Sequence, residues 1–141
     1  MTQARRFVPG QPPAHDDHKP DLDTPGRIEE MVDLFYQRVL DDPLLAPVFL
    51  EVARIDLDEH LPLIAAYWRK MLLGDSDYDR HMIGKHRAVH DQQPLTGAHH
   101  ERWLALFTAN LQAHFSGPNT DRARLLAARV MDNLYRQLSQ R

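Results

Sequence analysis

Cysteine is absent from the 141 residues of this chain, and that absence removes several kinds of site at once. Without thiols there is no disulfide framework, no thiolate metal site and no cysteine nucleophile. Long apolar runs are missing too, since none approaches the roughly 18 residues that a membrane span requires. The amino terminus lacks the apolar core of a signal peptide. These absences predict a cytoplasmic protein that does not enter a membrane.

An excess of basic charge is also missing. Lys and Arg number 17 against 20 Asp and Glu, which gives a formal net charge of −3. Proteins that bind nucleic acids or anionic membranes normally present a basic face, so neither partner is expected. The glycine motifs that bind nucleotide phosphates and the nucleophile elbow of serine hydrolases are absent as well. The chain therefore carries no signature of those enzyme classes.

What the chain does contain is enough apolar sequence for one domain. Hydrophobic residues make up 43%, an ordinary value for a globular protein. Five of the ten prolines fall in the first 25 residues, among Asp, His and Gln. Such a segment buries too little apolar surface to offset its ordering entropy. We therefore predict a flexible extension over residues 1–23 and a folded domain over residues 24–141.

Apolar residues recur at spacings of three and four through most of that domain, which predicts amphipathic helices. Thr24 followed by Pro25 is a typical helix start, and Asp42–Pro43 is a helix stop. No convincing strand alternation and no internal repeat occur, so the predicted fold class is all-α. Three further long helices are expected to begin near Asp56, Ala98 and Thr120, with a short helix or irregular turn over residues 80–90.

Four polar-tipped side chains fall on the apolar faces of separate elements: Tyr36, His60, His86 and Trp103. A buried hydroxyl, imidazole or indole N–H costs about 1–3 kcal/mol when it has no partner. Their convergence therefore suggests a shared ligand or a shared hydrogen-bond network. Taken singly, each is more often an ordinary core residue whose polar tip reaches the surface.

His86 also stands four residues before His90, which is a zinc-ligand spacing on a helix. The stretch reads H-R-A-V-H and lacks the glutamate of the H-E-x-x-H metalloprotease motif. A zinc protein using this pair, or a helical interaction module without a cofactor, is the alternative to a shared ligand site.

Four segments in order carry a family resemblance: "FYQRVLDDPLLAPVF", "DEHLPLIAAYWRKMLLG", "GKH" and "ERWLALF". Together they resemble the truncated haemoglobins, and among these the group III subfamily. The resemblance covers about Arg27 to Gln137. No Gly-Gly pair occurs in the chain, which is similar to group III and unlike the other groups.

The resemblance implies a globin-like two-over-two helical sandwich that encloses haem b. His86 matches the proximal histidine that binds the iron, and His90 or His81 are alternative ligands because the stretch from His86 to Trp103 is long. Pro62 follows His60 by two residues and removes a backbone N–H early in the second helix. The residues implied to contact the haem or its ligand are Tyr36, Phe49, His60, Ile64, Trp68 and Trp103.

The function implied is binding of O₂ and of other diatomic ligands, CO and NO, at a pentacoordinate iron. Hydrogen-bond donors aimed at bound O₂ predict slow release, which suits ligand trapping or redox chemistry better than bulk oxygen transport. The alternative is a nitric oxide dioxygenase or a peroxidase-like enzyme. Either enzyme requires a separate reductase, because the chain contains no flavin motif.

Overall fold

The structure is a computed structural model that describes residues 15–16, 18–52, 57–74 and 95–139. All of its regular structure is helical over these ranges, which confirms the predicted all-α class. A five-residue π-helical turn, Val48–Val52, precedes the second helix. The four α-helices are α1 (Pro25–Leu40), α2 (Leu57–Leu73), α3 (Gly97–His114) and α4 (Pro118–Ser139). None of the described helices is long and apolar enough to span a bilayer.

The helices pack as two pairs, one on the other. Helix α1 contacts α2 within one pair, and α3 contacts α4 within the other. Between the pairs, α1 packs on α3 and α2 packs on α4. This is the two-over-two arrangement that the family resemblance implies, and it directs one face of each helix toward a common interior.

Helix α1 begins where the sequence predicts. The Thr24 hydroxyl accepts a hydrogen bond from the backbone N–H of Arg27 at 3.2 Å, which satisfies one free donor of the first turn. Its buried face then recurs at helical spacing: Ile28, Met31, Val32, Phe35, Tyr36 and Val39. Because Tyr36 lies on this face, its hydroxyl points into the interior rather than to solvent.

Pro62 lies inside α2 and not in its first turn, and its side chain is exposed. The helix nevertheless continues to Leu73 and ends at Gly74, which has a φ of 77°. The guanidinium of Arg122 in α4 donates to the carbonyls of Met71 and Leu72, at 3.2 and 3.4 Å. A cation at the carboxyl end of a helix also complements the helix dipole. The predicted start of this helix near Asp56 falls outside the described residues.

The carboxyl-terminal part of the predicted extension contacts the helical domain. Leu22 is completely buried, and the carbonyl of Pro20 accepts a hydrogen bond from the backbone N–H of Ser116 at 2.9 Å. Closer to the amino terminus, the backbone N–H of Asp16 donates to the Ser116 hydroxyl. Asp16, Pro20 and Leu22 thus contact the helical domain, within the segment that the sequence assigns to the extension. Residues 1–14, the rest of the predicted extension, lie outside the described ranges.

Asp21 supplies the amino-terminal cap of α4. Its carboxylate accepts from the backbone N–H groups of Asn119 and Thr120, at 3.1 and 2.8 Å, and from the Thr120 hydroxyl. Gly117, which precedes α4, makes room for this approach: a Cβ there would lie 2.7 Å from Asp21 Oδ1. Its φ of 142° is also one that side-chain-bearing residues rarely adopt. A distant carboxylate therefore caps α4 in place of a residue next to the helix.

Candidate functional site

Tyr36 and His60 form a hydrogen-bonded pair between α1 and α2. The Tyr36 Oη and His60 Nε2 atoms lie 3.0 Å apart, and the two rings are nearly perpendicular, at 80°. Burial raises the pKa of the Tyr36 hydroxyl, so the phenol keeps its proton at neutral pH. If His60 Nε2–H donates to the phenol oxygen, the Tyr36 O–H is left to donate to a further acceptor.

Phe49 covers this pair from the turn that follows α1. Its ring meets the Tyr36 ring edge-on, with 5.7 Å between centroids. Asp42 holds that turn: one carboxylate oxygen accepts from the backbone N–H groups of Leu44 and Leu45, at 3.1 and 3.0 Å. Its other oxygen accepts from Arg102 Nε in α3 at 2.6 Å. One carboxylate thus fixes the turn that carries Phe49 and ties it to the helix that carries Trp103.

The Asp42 carboxylate is buried yet ionised. Burial alone would raise its pKa, but the hydrogen bond from Arg102 and the backbone N–H groups of Leu45 and Leu44 outweigh it. The pKa therefore lies below the ordinary value. This side chain therefore remains a hydrogen-bond acceptor at neutral pH, which holds the turn after α1 in one conformation.

Phe35 links Tyr36 to Trp103. Its ring lies 5.5 Å from the Tyr36 ring, 5.0 Å from Trp103 and 5.2 Å from Phe107, each in edge-on geometry. Phe107 in turn lies 5.1 Å from Trp103 and 5.0 Å from Trp68. Edge-on and tilted pairs at these distances are favourable beyond simple burial. The rings of α1, α2 and α3 therefore form one continuous cluster, named the aromatic cluster below: Phe35, Trp68, Trp103 and Phe107.

The structure brings most of the predicted site residues together. Phe49 and His60 each contact Tyr36, and Trp103 and Trp68 join them through Phe35 and Phe107. Ile64 lies one turn beyond His60 and packs against the core. The histidines proposed as iron ligands, His86, His90 and His81, fall outside the described residues. No group of three or more potential metal ligands occurs within the described ranges.

Several residues that support the site were not predicted from the sequence. Asp42 and Arg102 are separated by 60 positions, so no local pattern pairs them. Asn110 follows Phe107 by three residues and precedes the buried Leu111, which places a polar side chain on a buried stripe. An asparagine at a position of the apolar stripe can be recognised from the sequence alone.

The chemistry of the described side chains fits a flat, largely apolar cofactor that carries a polar ligand. Phe49, Ile64 and Trp103 all pack against the core but are only partly buried, so each leaves apolar surface uncovered. The Tyr36–His60 pair supplies polar atoms beside this surface. Cofactor sites combine these two elements, a mostly apolar lining and a few placed polar groups.

Comparison with known proteins gives a consistent result. The family model described as "Bacterial-like globin" matches residues 23–138. The group 3 truncated haemoglobin ctb of Campylobacter jejuni is 28% identical over 116 residues, covering 77% of this chain and 89% of its own. A crystal structure of a group III truncated haemoglobin from Campylobacter jejuni superposes with a TM-score of 0.75 at 26% identity. That superposition covers 86% of this chain and 96% of the other. The predicted resemblance and globin fold are confirmed.

Proposed function

This chain belongs to the bacterial-like globin family, and from that premise we propose that it binds O₂, CO and NO at a pentacoordinate iron of haem b. Globin membership implies haem and a small ligand. The observation that carries the finer proposal is the partly buried Tyr36–His60 pair, with 3.0 Å between Oη and Nε2, beside the partly covered rings of Phe49 and Trp103.

We propose one residue as the iron ligand and a separate apolar set as the porphyrin contacts. His86 is the proposed iron ligand, because a neutral imidazole nitrogen is the usual axial ligand of globin haem. Phe49, Ile64 and Trp103 would pack on the porphyrin, while Trp68 would support them from the core. When bound, haem supplies an iron that coordinates diatomic ligands and can change oxidation state.

The chain's own part is to stabilise a ligand that acquires partial negative charge. Tyr36 keeps its proton because it is buried. In the His60 tautomer whose Nε2–H donates to the phenol oxygen, the Tyr36 O–H is left to donate to the ligand. The Trp103 indole N–H can only donate. Donors held in place in a low-dielectric site are worth more than the same donors in water, so we propose slow O₂ dissociation.

The ultraviolet-visible spectrum of the reduced protein, with and without CO, tests haem binding. We expect an intense Soret band that shifts with CO in the wild type and in the matched variant His90→Ala, and that is lost or altered in His86→Ala. A band altered by His90→Ala instead would move the iron ligand to that residue. No Soret band after haem addition would reject the proposal.

The O₂ dissociation rate of Tyr36→Phe tests the role of the hydroxyl. The substitution keeps the ring contacts with Phe35 and Phe49 and removes only the donor. We expect dissociation to accelerate by about ten-fold or more, since a hydrogen bond to a charged group is worth about 1.5–3 kcal/mol. An unchanged rate would show that Tyr36 does not stabilise the ligand.

A further inference from the structure

Asn110 is the most buried polar side chain of the α1–α3 interface, with none of its surface exposed. Its Nδ2 atom donates to the backbone carbonyl of Met31 at 3.1 Å. Its Oδ1 atom is buried without a hydrogen-bond partner. An apolar residue of similar size would avoid the cost of that unpaired oxygen. The amide therefore needs an explanation other than stability.

The position of this hydrogen bond suggests what the amide does. Met31 lies one helical turn before Phe35, and Asn110 lies two turns after Trp103. Phe35 contacts Trp103 and Phe107, so α1 and α3 run antiparallel across this interface. The amide fixes one end of the contact, while the side chains of Tyr36 and Trp103 lie at the other.

Apolar contacts alone define helix register weakly, because burial is non-directional. A buried polar side chain can instead specify the register, as a single asparagine does in coiled coils. The core side chains between α1 and α3 are apolar or aromatic, such as Val32, Phe35 and Phe107. A second polar link, from Arg102 to Asp42, lies beyond the end of α1. Sliding one helix by one residue would move its side chains by about 1.5 Å. A displacement of that size is enough to break a hydrogen bond to a ligand.

We propose that Asn110 is a positioning residue: its hydrogen bond to the Met31 carbonyl sets the axial register of α1 on α3. Through that register it sets the separation of the Tyr36 hydroxyl and the Trp103 indole. This inference rests on the proposed function, in which both groups face the same bound diatomic ligand. The unpaired Oδ1 is then a stability cost retained for ligand binding.

The test is Asn110→Leu in the haem-loaded protein, with three measurements. The melting temperature is expected to stay the same or rise, because the unpaired oxygen is removed and the branched shape of the side chain at Cγ is kept. The O₂ dissociation rate is expected to rise roughly five-fold, the loss of about one ordinary hydrogen bond. The C–O stretching band of the CO complex is expected to shift or split, because the donors take more than one position.

Leu138→Ala is the matched control. It creates a cavity at the carboxyl end of α4, away from the α1–α3 contact, and should lower the melting temperature without moving the C–O band. The double variant Asn110→Leu with Tyr36→Phe tests the route of the effect. If Asn110 acts through the Tyr36 hydroxyl, its substitution should change O₂ dissociation little once that hydroxyl is gone.

Unchanged dissociation and an unchanged C–O band in Asn110→Leu would overturn the proposal, and so would additive effects in the double variant. If Asn110→Leu does not fold, Asn110→Ser removes the same hydrogen bond with less added apolar volume and is judged by the same measurements. A wild type that forms no CO complex would refute the proposed function instead. The register would then be read from nuclear Overhauser contacts between the Phe35 ring and the Trp103 indole, which Asn110→Leu must weaken.

Discussion

The aromatic cluster and the corner where residues 15–22 cross the α3–α4 junction are held together by different kinds of contact. Side-chain contacts within the cluster are ring on ring, and its members come from α1, α2 and α3. The corner combines the buried Leu22 side chain with a set of hydrogen bonds, in which Asp21, Ser116 and Asn119 each make at least two. Yet both regions join segments that are far apart in the chain.

The comparison shows which long-range contacts can be predicted from a sequence. A ring buried at helical spacing indicates its own inward direction, because the apolar stripe is a local pattern. A carboxylate in a proline-rich segment gives no such indication, since its partners lie 98 and 99 positions away. Hydrophobic contacts can thus be predicted by face, whereas polar contacts at this range need the three-dimensional structure.

The largest effect is expected in the aromatic cluster. Phe107 is fully buried and touches Phe35, Trp68 and Trp103, so Phe107→Ala should lower the free energy of unfolding by about 3–5 kcal/mol. Urea denaturation measures the change. Leu125→Ala, on a side chain that is 61% exposed, is the control and should stay within about 0.5 kcal/mol of wild type. Equal losses in both variants would contradict the assignment of the core.

Leu22→Ala tests whether the segment before residue 24 belongs to the folded unit. The side chain is fully buried, and we expect a loss of about 2–3 kcal/mol, at the low end for Leu to Ala because a terminal segment can shift to refill the space. The same denaturation experiment applies. A loss below about 0.5 kcal/mol would mean that the segment is not docked in solution.

Asp21→Ala tests the hydrogen bonds of the corner separately from its apolar contact. The variant leaves the first turn of α4 without its acceptor, and we expect a loss of about 1–2 kcal/mol, as for other helix caps. Asp23→Ala, two residues further on and exposed, is the matched control. If both variants lose the same stability, Asp21 is not the cap.

The Asp21 carboxyl also gives the corner a dependence on pH. Burial raises its pKa, but hydrogen bonds from Asn119 and Thr120 outweigh burial and place the folded-state pKa below 3.8. A lowered pKa stabilises the fold above the unfolded value, and that stability is lost as pH falls from about 4 through the folded pKa. Wild type should therefore lose more stability than Asp21→Ala between pH 5 and pH 2, measured by thermal melts. Parallel curves for the two proteins would refute this assignment.

The smallest effect is expected at the start of α3. His99 Nδ1 accepts from the backbone N–H of Thr96 at 3.0 Å, and burial together with the neighbouring His100 lowers the His99 pKa below 6.5. This contribution is present above pH 6.5 and is lost as pH falls through the folded pKa. His99→Ala should cost about 0.5–1 kcal/mol at pH 8 and less at pH 5, with exposed His18→Ala as control. A pH-independent cost would exclude the cap.

Much of the fold followed from local patterns. The start of α1 at Thr24–Pro25 and the inward faces of Tyr36, Trp68 and Phe107 are confirmed, because each depends on helical spacing alone. The sequence placed Pro62 early in the second helix, but it did not show that α2 continues through this proline, since a proline beyond the first turn ordinarily breaks a helix.

The long-range polar contacts around the site could not be predicted from the sequence, for a different reason. The pairs that join Asp42 to Arg102, Arg122 to the end of α2, and Asn110 to Met31 each bridge 50 or more positions. Such pairs depend on how helices pack, and helix packing follows only after the apolar faces have met. His86 as iron ligand remains a prediction for the spectra to decide.

The cap of α4 has a consequence for the order in which this protein takes shape. Asp21 leaves the ribosome almost a hundred residues before the N–H groups of Asn119 and Thr120 that it binds. During that interval the carboxylate and Leu22 have no site to occupy, because the α3–α4 corner does not yet exist. The segment around Asp21 can therefore dock only after α3 and α4 have met, and its docking closes a loop of about 100 residues.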